Sequence, residues 1–389
     1  MIARILVFLI VLIILPDLYI DRHYKSKKKS YTWSRRILWW LPSFFMTVCT
    51  VGLAGIRNFV PDTPDFFNFY LLLLAVLVVP KAFFALFSAL GLLYCRLLHK
   101  RHNWGNFIGL AAAFFTIYVA LYGAIVGFGH IEVKHIDVYS ADLPASFDGY
   151  RIVQFTDAHV GSFDGSRKNI LRRAVDSINA QHADLIAFTG DLQNIQPKEL
   201  YPVRKLLSSL RATDGVYSVL GNHDYSMYIE ADAAVKAANE HELIARQRQF
   251  GWTLLRNENR SIRRGADSIV IAGEENDGEP PFPSRADLSK TLTGVDRHAY
   301  VVLLQHDPSA WRRDILPHSN VQLTLSGHTH AGQFSLFGWR PSRMKYAEDY
   351  GLYTSANRSL YVSAGIGGLL PFRFGVPAEI TVLTLRQKK

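Results

Sequence analysis

Four runs of mostly apolar residues, each near the length of about 20 that a helix needs to cross a hydrocarbon layer about 30 Å thick, crowd into the first 128 positions of this 389-residue chain. The first is Ile2 to Ile20, interrupted only by Arg4, Pro16 and Asp17. The second, Ile37 to Ile56, and the fourth, Phe107 to Phe128, carry no charge. The third, Phe66 to Leu98, is longer and holds Pro80 and Lys81. Cut in two, its halves would sit at or below the lower limit for a span, so one tilted or kinked helix is expected. Lys81 then lies at membrane depth, where a lysine marks a functional site or turns toward neighbouring helices or an interface; the second is the expectation. The first run is too long for a secretory h-region and lacks a small-x-small cleavage site after Pro16, so it reads as an anchor.

Charge distribution decides what the basic surplus means. The chain is 49% hydrophobic and 13% aromatic, which excludes a disordered or fibrous polymer, and its net charge is +10. Residues 1 to 128 hold 13 Lys+Arg against 4 Asp+Glu, whereas the remaining 261 hold 30 against 29. A nearly neutral C-terminal part with no basic stripe makes nucleic acid a poor partner. The basic residues instead fall in loops: Arg22, Lys25, Lys27, Lys28, Lys29, Arg35 and Arg36 in the first, Arg57 with Asp62 and Asp65 in the second, and Arg96, Lys100 and Arg101 in the third. Positive residues favour the cytoplasmic side. This alternation predicts a multi-pass protein of the cell membrane, with both termini and everything after residue 128 outside the cytoplasm. Trp33, Trp39 and Trp40 stand where an interfacial aromatic belt is expected.

Beyond a linker and leading strand at 129 to 148, residues 149 to 389 change pattern. Short β-branched runs at Ile152 to Thr156, Leu185 to Thr189, Val216 to Leu220, Ser268 to Ala272, Tyr300 to Gln305, Val321 to Ser326, Leu360 to Ser363 and Ile380 to Leu385 read as strands, several buried on both faces. Helical periodicity at Arg167 to Ala180 and Met227 to Phe250 alternates with them. An α/β domain of layered sheets follows. The only cysteines, Cys49 and Cys95, lie in apolar runs, which excludes a disulfide framework and a thiolate site in the C-terminal part.

The chemistry gathers just after the strands. Thr156-Asp157-Ala158-His159, Gly190-Asp191, Gly221-Asn222-His223-Asp224, His306-Asp307-Pro308 and Gly327-His328-Thr329-His330 each end one. Open α/β sheets bind ligands at the carboxyl ends of their strands, so the five loops are expected to converge. Carboxylate, amide and imidazole without thiol suit Mn, Fe or Zn better than Ca or Mg. There are ligands enough for two divalent ions sharing a carboxylate.

These motifs, in this order, resemble the calcineurin-like metallophosphoesterases. The likeness extends to Gly149-Tyr150-Arg151-Ile152, Gly215-Val216-Tyr217, Gly332-Gln333, Tyr361-Val362-Ser363 and Ala378-Glu379-Ile380-Thr381, and is similar to the bacterial membrane-associated branch of YkuE/YaeI-type phosphodiesterases. It covers residues 145 to 386. The resemblance implies a four-layer αββα sandwich. It implies a first metal held by Asp157, His159 and His330 and a second by Asn222, His306 and His328, with Asp191 bridging. It casts His223 as the catalytic histidine near the leaving group and Asp224 as the carboxylate that orients it. Thr156 to Val160 departs from the commoner Ser-Asp-Leu-His-Leu without losing a ligand.

Two such cations, manganese being the favoured metal, would screen phosphoryl oxygens and lower the pKa of a bound water toward 7, so that hydroxide attacks without a protein nucleophile. A protonated His223 would donate to the leaving oxygen. The expected activity is hydrolysis of a phosphodiester or phosphomonoester, on a lipid-linked or cell-envelope substrate because the site is tethered at a bilayer. Two alternatives stand beside it: a nucleotide-sugar or diphospho-lipid pyrophosphatase, and a membrane sensor or transporter regulated by its phosphoesterase domain. Trp339, Tyr346, Phe372 and Phe374 with Arg340, Arg343 and Arg373 follow the last metal loop and are either an apolar and basic substrate rim or core and solvated-face residues, between which periodicity does not decide.

Overall fold

The computed structural model describes residues 2–28, 30–58, 61 and 64–388; Lys29 and Asp62, counted in the loop charges above, lie outside them. The chain divides into two compact units, residues 1–126 and 127–389.

The first unit is helical. Helices α1 (Leu6–Ile20), α2 (Trp33–Ala54), α3 (Pro64–Leu73), α4 (Val79–Leu97) and α5 (Gly105–Ile125) are its main elements. A π-helical turn, Leu74–Val78, joins α3 to α4, so Pro64–Leu97 runs on as one helical segment, and four segments are long and apolar enough to span a membrane. Pro80 lacks an N–H for the helical ladder, and the widened turn just before it absorbs the mismatch. Gly91 on α4 and Gly105 on α5 touch: a Cβ on Gly91 would lie 2.8 Å from the Gly105 backbone, the close approach that small residues allow between spans. Val7, Leu38, Phe44, Leu97 and Phe114 point outward, as lipid-facing side chains should.

Polar groups hide among these helices. Lys81 Nζ lies 2.9 and 2.8 Å from the two carboxylate oxygens of Asp17, and the Ser43 hydroxyl donates to the same carboxylate. Asp17 is fully buried. Asp21, also buried, pairs with Arg36 at 2.8 Å. Lys81 therefore turns to its neighbours, and three spans meet at it.

The second unit holds two six-stranded sheets. The first has the order β1 (Ile131–Ser140), β12 (Ala378–Gln387), β2 (Arg151–Phe155), β3 (Leu185–Phe188), β4 (Val216–Ser218) and β5 (Thr253–Leu254). The second runs β10 (Gly351–Ser355), β11 (Arg358–Val362), β9 (Leu323–Ser326), β8 (Tyr300–Leu304), β7 (Asp267–Gly273) and β6 (Glu258–Arg264). Alternation along each strand divides the core. Ile152, Leu185, Val302 and Leu323 fill the space between the sheets. Phe155 and Phe188 face helices α6 (Lys168–Asn179), the short α7 (Arg204–Leu207) and α8 (Ala233–Gln249) through Leu171, Val175, Leu207 and Leu243. Val301 and Leu303 face the helical turn carrying Trp311 and Ile315. This is a four-layer sandwich with helices on both outer faces.

Strands β2, β3 and β4 are parallel and in register, Phe155 beside Phe188 and Phe188 beside Ser218. In the other sheet β8 and β9 are parallel, Leu304 beside Leu325. All five end together, so the loops that follow them open at one edge of the sandwich.

Candidate metal centre

The five loops do meet. His306 Nδ1 donates to the Thr189 carbonyl at 2.8 Å, and the His328 N–H donates to Asp157 Oδ2 at 3.0 Å, each tying one sheet to the other. The backbone is contorted to achieve this: Asp157, His159, Asp191, His328 and His330 all have φ between 43° and 70°. Left-handed non-glycine residues are uncommon and strained, and they cluster at functional sites. Gly190 at φ 98° leaves no room for a side chain, since a Cβ there would sit 2.7 Å from both the Gly221 nitrogen and His306 Nδ1.

Two groups of side chains face each other across Asp191. In one, His330 Nε2 is 3.3 Å from Asp157 Oδ1 and His159 Nε2 is 3.6 Å from Asp191 Oδ2. In the other, His306 Nε2 is 3.3 Å from Asp191 Oδ2 and 3.2 Å from Asn222 Oδ1, and His328 Nδ1 is 2.8 Å from the same amide oxygen. Ligand atoms of Asp157, His159 and His330 lie within 4.8 Å of one another, as do those of Asp191, His306 and His328, and those of His159, Asp191 and His223. Every metal-ligand candidate from the sequence stands in this constellation.

The donor set fits cations. Asp157 Oδ1, both ring nitrogens of His159 and His330 Nδ1 are buried without a hydrogen-bond partner, a state that buried polar groups rarely tolerate unless an ion completes them. Burial, helped by neighbouring imidazoles, pushes His159 and His330 down to about 3 and His328 down to about 4. They are neutral at ordinary pH, with lone pairs to offer. His306 is the exception. Burial alone would lower it, but the charges of Asp191 and Asp157 outweigh that and push it up to about 10. Asp191, despite its burial, is held well below the usual carboxylate range by the imidazoles of His306, His223 and His159.

Neighbouring groups fix the ring orientations. Tyr346 Oη lies 2.7 Å from His328 Nε2, leaving Nδ1 to face Asn222. The Asn222 amide in turn donates to Tyr228 Oη at 2.7 Å, and the Tyr228 ring lies 4.2 Å from that of His223. His223 Nδ1 donates to the Asn194 carbonyl at 2.6 Å. Tyr228 and Asn194 carried no sequence signal, because neither belongs to a motif and their partners lie on other loops.

One expectation needs correcting. Asp224 does not orient the His223 ring: its carboxylate accepts N–H bonds from Asp191, Leu192, Gln193 and Gly221 at 3.0, 3.0, 3.3 and 2.9 Å. The helical turn Asn222–Tyr225 points it back at its own start, so it clamps the Asp191 loop instead. Of the rim and core readings, Arg373 takes the second. It is fully buried, and its guanidinium donates to the carbonyls of Ala364, Gly365, Gly367 and Pro377. Arg340 is occupied by Asp349, with bonds of 2.7 and 2.9 Å.

Comparison with known proteins bears on this arrangement. Residues 150–332 match the calcineurin-like phosphoesterase family model, and residues 3–128 match one described as a probable calcineurin-like phosphoesterase transmembrane domain. The metallophosphoesterase YkuE of Bacillus subtilis is 32% identical over 268 residues, 66% of this chain and 86% of YkuE. The chain is a calcineurin-like metallophosphoesterase. Such proteins are hydrolases of phosphoric esters, and this metallophosphoesterase carries a four-span apolar unit ahead of its catalytic-type domain. A transmembrane protein with metallophosphoesterase domain from Danio rerio is 30% identical over 286 residues, 71% of this chain and 62% of the zebrafish protein. The metallophosphoesterase Cj0846 of Campylobacter jejuni is 30% identical over 263 residues, 66% of this chain and 64% of its own length.

Proposed function

We propose that this metallophosphoesterase is a membrane-anchored hydrolase of a phosphodiester or phosphomonoester that uses two divalent cations, manganese favoured, on a lipid-linked or cell-envelope substrate. The observation that carries the reading is the pair of ligand groups around Asp191 with their partnerless buried donor atoms. Asp157, His159 and His330 would hold one ion, Asn222, His306 and His328 the other, and Asp191 both. When bound, the ions would supply Lewis-acid screening of the phosphoryl oxygens and a hydroxide nucleophile near neutral pH.

The chain's own residues do the rest. His223 is held through Nδ1 by the Asn194 carbonyl, so the other ring nitrogen is left to donate a proton to the leaving oxygen, a contribution typically of about 10² to 10⁴ in rate. Asn222 ligates without adding negative charge near an anionic substrate. Asp224 keeps the Asp191 loop in shape through its four main-chain bonds. The alternation of basic loops supports a catalytic domain outside the cytoplasm; a cytoplasm-dependent reporter fused at the C-terminus would stay dark.

The deciding experiment compares an aryl phosphodiester with an aryl phosphomonoester, using purified full-length protein with Mn, Fe or Zn restored. Metal-dependent turnover of either supports the reading. A second reading makes the four-span unit a sensor or transporter regulated by this domain, and the buried Asp17, Ser43 and Lys81 group favours it. Metal-loaded protein inert toward both esters would select that one.

A further inference from the structure

Just beyond His330 the chain builds a projecting arm. Ser335 N donates to the Phe374 carbonyl at 2.7 Å and Phe374 N to the Gln333 carbonyl at 2.9 Å, while the rings of Phe334 and Phe374 stack at 5.7 Å. Leu336 and Trp339 then exchange two main-chain bonds of 3.0 Å, closing a two-residue turn of Phe337 and Gly338 at φ 50° and 79°. A turn with both central residues left-handed ordinarily carries Asn-Gly or Asp-Gly. A bulky residue there is an outlier, and local rules are broken mainly at functional places.

Apolar side chains of this turn and of the helical turn Pro341–Met344 that follows it are exposed. Phe337 is 100% exposed, Met344 82% and Trp339 53%. Arg343 and Lys345 are exposed beside them, Arg343 in a long 3.7 Å pair with Asp349 and Lys345 over the rings of Phe282 and Tyr346. The arm's far end is tied to the metal centre, because Tyr346 bonds His328. An arm tied to the site at its far end thus presents three large apolar groups and two cations.

We infer that this arm docks into the interface of an anionic lipid bilayer, with Phe337, Trp339 and Met344 in the headgroup and upper acyl region and Arg343 and Lys345 against lipid phosphates. Exposed apolar groups of this size mark an interaction surface. Tryptophan and phenylalanine with flanking basic residues is the composition that interfaces of anionic membranes select. The occupant is a bilayer rather than a partner protein because the chain's four apolar spans keep one at hand. The substrate class that follows, a phosphoester at headgroup level, rests on the proposed hydrolase activity; the docking itself does not.

The test uses full-length protein with Cys49→Ser, Cys95→Ser and Phe337→Cys, labelled at residue 337 with an environment-sensitive fluorophore and reconstituted into phosphatidylcholine vesicles with or without phosphatidylglycerol. Docking gives blue-shifted emission, quenching by shallowly spin-labelled lipids, and a stronger effect in the anionic vesicles. Emission at the aqueous position in both vesicle types overturns the inference, and burial of the label only on adding a protein extract overturns it in favour of a protein occupant. In a second arm Phe337→Ser alone should leave a water-soluble aryl ester turned over at the wild-type rate. Hydrolysis of a lipid-embedded phosphoester should fall by about tenfold, the scale of losing one buried aromatic from a partition equilibrium. Equal loss on both substrates sinks the inference, whereas wild-type protein inert toward both sinks the hydrolase reading and leaves the fluorescence result to stand alone.

Discussion

Replacing Asp224 by asparagine separates two accounts of the Gly221-Asn222-His223-Asp224 motif in a single measurement. If the carboxylate merely oriented His223, Asp224→Asn would slow turnover and leave folding alone. The geometry says otherwise. Oδ1 accepts from Leu192 and Gln193, and Oδ2 from Asp191 and Gly221. An amide keeps one acceptor oxygen and turns an NH2 toward the other two donors. Two main-chain N–H groups facing a fully buried side chain are then unpaired. At about 1–3 kcal/mol for each buried donor left unsatisfied, the variant should lose about 2–6 kcal/mol, a large share of the 5–15 kcal/mol typical of a domain. Denaturant unfolding of the detergent-solubilised protein, followed by the fluorescence of tryptophans such as buried Trp252, reads this directly. An unfolding midpoint equal to wild type, with turnover reduced, would refute the clamp and restore the orienting role.

Other perturbations test the rest of the site and the membrane unit. His223→Ala should retain metal and lose most turnover, whereas Asp191→Ala should lose metal as well; elemental analysis beside rate measurements reads both, and unchanged hydrolysis in His223→Ala ends the proton-donor role. Tyr346→Phe removes the bond that sets the His328 ring; metal affinity should weaken by about 10–100-fold at an unchanged unfolding midpoint, and unaltered affinity would count against it. Glu274, pushed up to about 8 chiefly by burial, favours the protonated form in the folded state. Stability should therefore fall as pH rises from about 4.5 to about 8, and Glu274→Gln should flatten that slope; an unchanged slope contradicts the assignment. Lys81→Met strands a buried carboxylate and should cost about 3–5 kcal/mol, with much of it recovered on adding Asp17→Leu; a Lys81→Met protein as stable as wild type would mean the pair does not hold the spans.

Much of this was legible because the informative residues come in local motifs. Parallel strands must end somewhere, and the ligands directly follow β2, β3, β4, β8 and β9, so reading the apolar runs located the centre. Polar edge strands stayed hidden: β6 is Glu-Asn-Arg-Ser-Ile-Arg-Arg, only Ile262 buried, and β10 alternates half-buried with exposed residues and buries none. Pairing partners distant in sequence, not intrinsic propensity, make these strands. The helix expected from Met227 begins at Ala233, where Asp232 caps it by accepting from Val235 N at 2.9 Å. Motif reading placed Asp224 at the site but could not tell which way its carboxylate turns. Trp339 was named for its type, yet its exposure follows from a turn whose φ values no composition reveals.

The buried pair in the membrane unit also bears on how the chain is made. Asp17 and Lys81 lie 64 positions apart, so ribosomes deliver the acid well before the base. At a helix centre an aspartate opposes insertion by about 2.5–3.5 kcal/mol; Asp17, in the last turn of α1, costs less than that, and the run of Leu, Ile and Val before it offsets the penalty at a few tenths each. The first span therefore enters the membrane unaided, carrying a carboxylate that waits for a partner not yet synthesised. Until residue 81 is made, the Ser43 hydroxyl of the second span is the partner available to that acid, and the lysine of the third span then supplies the opposite charge.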